Sequence, residues 1–250
     1  MPNYSAHIDI ARQAATQLSH PVIDKNMGSY LLGSTSPDIR IITRQKREHY
    51  HFAPLDEKEI SAGVKGLFLS HPHLADASCL SQATQAFMAG YISHLIADQA
   101  WIVYMYHPFF GNSDVFNNHG AGKVMDRALQ LDLDRQAKEN MRELEEIGPL
   151  LANADQGVEL GFISGESLAQ WREWLLEALN RGFTWERLRF LARRSLPEDP
   201  DTALGLAEEF LDSVSQGLAC LYERVPAEKV ELFRRRAIQE FVRVAGGYLS

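Results

Sequence analysis

Apolar residues in this 250-residue chain recur mainly at helical spacing, and alternation at every second residue is almost absent. Recurrence at three and four residues is typical of one face of an amphipathic helix, whereas alternation would indicate a half-buried strand. The first such stripe joins His7, Ala11 and Leu18, in a helix that Ser5 caps. The pattern predicts an all-α fold with further helices over residues 23–32, 57–69, 123–133, 137–147, 167–180, 185–194, 201–224 and 227–248.

The most apolar stretch is residues 87–110, FMAGYISHLIADQAWIVYMYHPFF, which predicts a buried central helix. His94 and Asp98 lie four residues apart and therefore share one face of that helix. Burying an aspartate is costly unless it is paired or bound to a cation, so the pair is either a structural hydrogen bond or part of a metal site. These two residues, with Gln99 and His107, also interrupt the run, which argues against a membrane span.

Three other places carry candidate chemistry, each with a structural alternative. His7 is either a core histidine or a ligand, and Asp38, which follows a proline in a predicted loop, is either a turn residue or a ligand. His49 and His51 lie in the basic stretch 39–54, which is predicted to be irregular. Because these histidines are two residues apart, at most one of them is expected to face the central helix.

Two further expectations concern helix ends and helix faces. Gly33 is expected to end the second helix, in the position just after its C-cap, where glycine is common. Asp126, Asp132 and Asp134 follow one another on the helix predicted to begin at residue 123, and we expect them to face solvent.

Composition narrows the class of protein. The net charge is −8, from 25 Lys and Arg against 33 Asp and Glu. The sequence has no basic stripe, so we do not expect a nucleic-acid partner. Cys79 and Cys220 are isolated, which favours a reducing compartment, and the N-terminus lacks the pattern of a signal peptide, so we expect a cytoplasmic protein. The length predicts a helical domain over residues 1–150, with the helices of residues 151–250 packed on it as part of one unit.

Five short phrases, in this order, resemble the zinc-dependent phospholipase C superfamily, which includes bacterial phospholipases C and the N-terminal domain of glycosylphosphatidylinositol-specific phospholipase D. The closer resemblance is to the latter. Residues 90–101, GYISHLIADQAW, are similar to its Gly-x-x-Ser-His-x-x-Ala-Asp-x-x-Trp helix, and residues 32–38, LGSTSPD, resemble its Gly-x-x-x-Pro-Asp loop. The other three phrases are SAHIDI at residues 5–10, HFAP at residues 51–54 and HGAG at residues 119–122.

The resemblance implies an all-helical bundle of the phospholipase C and P1 nuclease type that holds two or three zinc ions. Asp98 would bridge two ions, and His119 would belong to a further metal position. Asp38 would be a ligand, the base for a bound water, or both. A mixed set of His and Asp does not exclude iron or manganese. The metal ligands implied by the resemblance are His7, Asp38, His51, His94, Asp98 and His119.

The chain departs from the family pattern in several places. Secreted members use the freed amino group of the mature chain as a ligand, whereas here two residues precede the first helix. Lys123 stands where the family has a carboxylate four residues after its later histidine. Ile102 stands near the place of another expected histidine, for which His107 and Asp126 are candidate substitutes. His49 has no counterpart in the family motifs, and we expect it either at the surface or in contact with a metal ligand rather than with a metal.

The resemblance predicts a metal-dependent hydrolase of a phosphoester: a phospholipid, its head group, or a related diester or monoester. Their proximity in sequence to Asp38 and His51, rather than the resemblance, makes Arg40 and Arg47, with Arg44 as an alternative, candidates to hold the phosphate of a small phosphorylated substrate or lipid head group. No integral membrane segment is expected, and the sequence is compatible with a homo-oligomer. The alternatives are a helical metal-binding protein without turnover, a different metal chemistry such as oxygen-dependent iron chemistry, and a helical bundle that binds no metal.

Overall fold

The computed structural model describes residues 2–116, 118–140 and 144–250. These described residues form helices and turns but no strand, so the predicted all-α fold is confirmed. The α-helices are α1 (Tyr4–Leu18), α2 (Pro21–Lys25), α3 (Met27–Gly33), α4 (Arg40–Thr43), α5 (Glu48–His51), α6 (Ala62–Ser70), α7 (Gln82–Trp101), α8 (Ser113–Phe116), α9 (His119–Asn140), α10 (Leu144–Leu151), α11 (Gly165–Asn180), α12 (Arg187–Ser195), α13 (Pro200–Asp212), α14 (Val214–Arg224) and α15 (Ala227–Leu249). Short 3₁₀ turns lie at Ser36–Ile39, Pro72–Leu74 and Ala77–Cys79.

Helix α7 is the centre of the molecule. The Ser81 hydroxyl caps it by accepting a hydrogen bond from the Thr84 amide at 3.1 Å. Residues 86–101 are all buried, so the helix has no solvent-facing side. Helices α1, α3 and α15 pack around it. Within the described residues, none of the helices combines the length and apolarity needed to cross a bilayer.

The central helix does not continue as an α-helix to residue 110. After Trp101 the backbone changes to a π-helical segment, Ile102–Phe110, that contains Pro108. A proline lacks an amide proton and clashes with the preceding turn of an α-helix, and the wider π register is one way to relieve that conflict. The short helix α8 follows this segment.

Two glycines allow α3 and α7 to cross at backbone contact. A Cβ atom on Gly90 would lie 1.9 Å from the Tyr30 carbonyl oxygen, and one on Gly33 would lie 2.0 Å from the Phe87 carbonyl oxygen. The prediction that Gly33 follows the C-cap is wrong, because Gly33 is the last helical residue of α3 and Ser34 is the C-cap. The lack of a side chain at Gly33 serves the close approach of two distant segments.

The C-terminal helices complete the surroundings of α7. Helix α15 packs along both α7 and α1, and its Phe233 ring contacts Trp101 edge-on with 5.2 Å between ring centroids. The single helix predicted over residues 201–224 is wrong, because the chain turns at Ser213 between α13 and α14. The helix predicted over residues 137–147 falls partly on residues 141–143, which lie outside the described residues.

Helix α9 is longer than predicted and largely buried. Asp126, Asp132 and Asp134 are 4%, 1% and 0% exposed, so the expectation that they face solvent is wrong. Each carboxylate has a partner from another part of the chain, which a local pattern does not reveal. The partners from other segments are the Trp101 indole at 2.9 Å for Asp126, the Tyr222 hydroxyl at 2.6 Å for Asp132, and the Ala6 amide at 3.3 Å and Arg187 at 3.4 Å for Asp134.

Candidate metal centre

Five side chains from four separate elements meet at the Asp98 carboxylate. Oδ1 of Asp98 lies 3.3 Å from Nε2 of His7, on α1. Oδ2 lies 3.1 Å from Nε2 of His51, on α5, and 3.7 Å from Nε2 of His94, one turn earlier on α7. Asp38, in the 3₁₀ turn after α3, has its Oδ1 3.9 Å from Nε2 of His51. The two carboxylates and three imidazoles therefore surround one small volume.

The crossing of α3 and α7 orients His94. Its Nδ1 lies 2.9 Å from the carbonyl oxygen of Ser34, the residue just after α3. When Nδ1 donates to that carbonyl, the lone pair of Nε2 is directed at the centre, as in most metal-binding histidines. The His7 ring stacks on His94, with 3.8 Å between ring centroids and 12° between the ring planes.

Helix α5 orients His51 in the same way, within a stretch that was predicted to be irregular. Its Nδ1 lies 3.3 Å from the Arg47 carbonyl oxygen one turn earlier, so Nε2 again faces the centre. The Tyr91 hydroxyl, on α7, donates a 2.6 Å hydrogen bond to the Tyr50 carbonyl and ties α5 to the central helix. Gly63 lets α6 approach the backbone of α5 closely, because a Cβ on Gly63 would lie only 2.7 Å from the His51 carbonyl oxygen.

The facing atoms lack hydrogen-bond partners although they are buried. Within the described part of the chain, Nε2 of His7, His51 and His94 and Oδ1 of Asp98 make no hydrogen bond, and the four residues are only 1–2% exposed. Buried polar atoms are rarely left in this state, since each costs about 1–3 kcal/mol. The ligand atoms also fall into two groups whose members lie within 4.8 Å of one another, His7 with His94 and Asp98, and Asp38 with His51 and His94.

The electrostatics suit a cation. Burial opposes ionisation of Asp98, but the charge on His94 and the close imidazoles of His51 and His7 hold its pKa well below the usual range. Burial lowers the pKa of His51, and burial together with the charge on His94 lowers the pKa of His7 to about 4. Burial also opposes protonation of His94, but the Asp98 charge outweighs it and raises that pKa. At neutral pH the centre thus offers a carboxylate and the neutral imidazoles of His7 and His51, whereas His94 must release its proton before its Nε2 can bind a metal.

The two predicted phosphate-binding arginines differ in position. Arg47 is buried, and its guanidinium donates to Oδ2 of Asp98 at 3.2 Å and to the Ala53 carbonyl at 3.1 Å. It therefore points into the centre rather than outward to a substrate. Arg40 lies half-buried at the start of α4, two residues after Asp38.

Asp38 marks the side on which the centre meets solvent. Its side chain is 26% exposed, whereas those of the three histidines and Asp98 are at most 2% exposed. A substrate or water that reaches the centre therefore meets Asp38 before the deeper ligands.

None of the remaining candidates belongs to the two groups of candidate ligands found among the described residues. His119 begins α9, but its side chain lies outside the described part of the structure. Lys123 forms a 3.0 Å ion pair with Glu198, and His107 is exposed. Asp126 accepts hydrogen bonds on both oxygens and belongs to neither group of candidate ligands found among the described residues.

His49 is exposed, and its ring contacts Tyr50 edge-on. Sequence reasoning missed the positions of two other residues, the Ser34 carbonyl behind His94 and the Arg47 guanidinium on Asp98. The spacing of Arg47, one helical turn before His51, is the signal that would have placed its side chain near the centre.

Fold and site together define an all-helical protein with a buried centre of histidines and aspartates that is compatible with metal binding. The sequence profile of the zinc-dependent phospholipase C family matches residues 6–147, more than half of the chain. The chain therefore belongs to that family, as its motifs predicted. Comparison with curated proteins gave no match, and neither did comparison with solved structures.

Proposed function

We propose that this protein is a metal-dependent hydrolase of a phosphoester, with a small phosphorylated molecule or a lipid head group as substrate. The observation that carries the proposal is the set of three buried imidazole Nε2 atoms that face the Asp98 carboxylate without hydrogen bonds. Membership of the zinc-dependent phospholipase C family supports zinc as the metal. The cytoplasmic location and a homo-oligomeric state stay predictions.

Two metal positions share Asp98 in this proposal. Asp38, His51 and His94, together with Oδ2 of Asp98, would hold the first ion. His7 and Oδ1 of Asp98 would contribute to holding the second ion. A third position, with His119, is the least supported, because Lys123 occupies the place of a family carboxylate.

Bound zinc supplies a water of lowered pKa and a positive charge for the phosphoryl oxygens. Asp38 is proposed as the base as well as a ligand, because its partly exposed side chain lies on the solvent side of the centre. It accepts a proton as the water oxygen attacks phosphorus and the ester P–O bond breaks, and it then gives that proton to the oxygen of the leaving alcohol. Arg40 is proposed to donate to the phosphate oxygens from the same side.

A second candidate is a helical metal-binding protein without hydrolytic turnover. The specific observation in its favour is Lys123, whose ammonium group pairs with Glu198 at 3.0 Å. A cation at the position of a third-metal carboxylate would weaken that metal position. Loss of that position would remove one of the charges that clamp the phosphoryl group.

Metal analysis of the purified protein, followed by assay on chromogenic phosphate monoesters and diesters, tests the proposal. We expect stoichiometric zinc and turnover of at least one ester. Asp98→Asn should weaken zinc binding by more than about a hundredfold, since it alters the ligand shared by both positions. Asp24→Asn, an exposed aspartate on α2, is the matched control and should retain zinc.

The outcomes separate the candidates. Full zinc content in the Asp98→Asn protein would contradict the metal centre. Stoichiometric zinc with no turnover on any ester would favour the second candidate. Asp38→Asn should abolish turnover and leave part of the zinc bound, because the other ligands remain.

A further inference from the structure

We propose that Arg47 is a built-in counter-cation for Asp98, which holds the carboxylate when no metal is present and competes with the metal for it. The inference rests on the proposed metal centre and deepens it. It concerns how the centre is loaded, and it gives a buried arginine a role different from phosphate binding.

The geometry places the guanidinium where a metal ion would also be attracted. One terminal nitrogen lies 3.2 Å from Oδ2 of Asp98, the same oxygen that faces His51 at 3.1 Å and His94 at 3.7 Å. The other terminal nitrogen donates to the Ala53 carbonyl at 3.1 Å, and this second hydrogen bond fixes the orientation of the guanidinium. Arg47 thus competes at the four-ligand position rather than at the His7 position.

The charges explain why such a residue is needed. An ionised carboxylate buried without a countercharge is strongly destabilising, because it loses its hydration. In the metal-free protein, the permanent charge of the Arg47 guanidinium, 3.2 Å from Oδ2 of Asp98, meets this need.

The same charge opposes the metal. An ion that binds Oδ2 is repelled by the guanidinium, and the repulsion is strong because both charges are withdrawn from water. Zinc affinity is therefore lower than the ligand set alone would give. Removal of the guanidinium both ends this repulsion and leaves Asp98 in need of a cation, and both changes favour the bound metal.

The test compares zinc affinity and metal-free stability across charge variants of the basic stretch. The metal-free proteins are titrated with zinc by calorimetry and unfolded with urea in the presence of a chelator. Arg47→Met should bind zinc roughly tenfold to hundredfold more tightly than the unchanged protein and unfold at lower urea. Arg47→Gln, which retains a donor for the Ala53 carbonyl, should behave in the same way if Arg47→Met does not fold.

Two controls separate charge from other effects. Arg47→Lys retains the positive charge and should keep zinc affinity near that of the unchanged protein. Lys46→Met removes a charge from the adjacent exposed residue and should change affinity by less than about twofold, because solvent and salt screen that charge.

Equal or weaker zinc binding by Arg47→Met would overturn the inference, since it would mean that Arg47 supports the metal position. An Arg47→Lys protein that binds zinc as tightly as Arg47→Met would also overturn it, because charge would not be the cause. Either result leaves the proposed metal centre standing if the unchanged protein binds zinc. Absence of zinc binding in every variant would overturn both the inference and the metal centre.

Discussion

Replacing Gly90 with alanine should disturb the metal centre through the backbone, without touching a ligand. The added Cβ would lie 1.9 Å from the Tyr30 carbonyl oxygen and 2.8 Å from the Ser34 amide nitrogen. An ordinary contact begins near 3.4 Å, so α3 must retreat by about 1.5 Å from α7 at this crossing. The Ser34 carbonyl, which lies 2.9 Å from Nδ1 of His94, would move with it.

The expected loss of stability combines opposing contributions. Overpacking of a well-packed core costs about 1–3 kcal/mol, and this contact is at the severe end because backbone meets backbone. Loss of the His94 hydrogen bond adds about 1 kcal/mol, whereas alanine is favoured over glycine in a helix by about 1 kcal/mol. We therefore expect Gly90→Ala to lower the free energy of unfolding by about 3 kcal/mol, measured by urea unfolding with chelator present.

The same variant should bind zinc about 10–100-fold more weakly, because His94 loses the partner that orients its ring. Gly205→Ala is the matched control, since Gly205 lies inside α13 and its Cβ would meet nothing within 4 Å. It should gain about 0.5–1 kcal/mol and bind zinc unchanged. If Gly90→Ala is as stable as this control, the close crossing is refuted. If it is destabilised but binds zinc normally, the crossing does not position His94.

Two further predictions concern buried polar groups. Burial raises the pKa of Asp134 from 3.8 to about 6, so the folded protein binds its proton more readily than the unfolded chain, and stability should fall by up to about 3 kcal/mol as pH rises from 4 to 6. Asp134→Asn should lack this fall and be the more stable protein at pH 7, and an unchanged urea midpoint at pH 7 would contradict the argument. Tyr91→Phe leaves the Tyr50 carbonyl without its 2.6 Å donor and should cost about 1–2 kcal/mol in urea unfolding, together with weaker zinc binding as α5 loosens. A variant that loses stability but keeps full zinc affinity would show that this bond does not hold His51 in place.

The all-helical fold and the pairing of His94 with Asp98 could be predicted from the sequence because both depend on local spacing. Residues four apart on a helix share a face whatever surrounds them. The convergence of His7, Asp38 and His51 depends on contacts between distant segments. Only the resemblance to the family motifs, in the same order along the chain, predicted that these three residues converge.

Other features were missed because a residue type does not reveal its distant partner. The role of Gly33 depends on the Phe87 carbonyl, which lies more than fifty residues later, on α7. The periodicity of a single helix cannot predict that contact. Asp132 and Asp134 look like surface residues of an amphipathic helix until Tyr222 and Arg187 are placed against them. Arg47 differs from the exposed cations around it only in lying one helical turn before His51, and that spacing is informative only once the stretch is known to be helical.

The C-terminal helices bear on the centre through α7. The five side chains that meet at Asp98 come from the first hundred residues, yet the face of α7 around Trp101 is covered by Phe233 of α15. Because α7 is buried on every side, its apolar surface would meet water if α15 were absent, at about 25 cal/mol for each Å² exposed. The ligands are held only as firmly as α7 is held against α1 and α3. We therefore infer that residues 151–250 belong to the same structural unit as the metal centre and act on it by fixing the central helix rather than by contributing ligands.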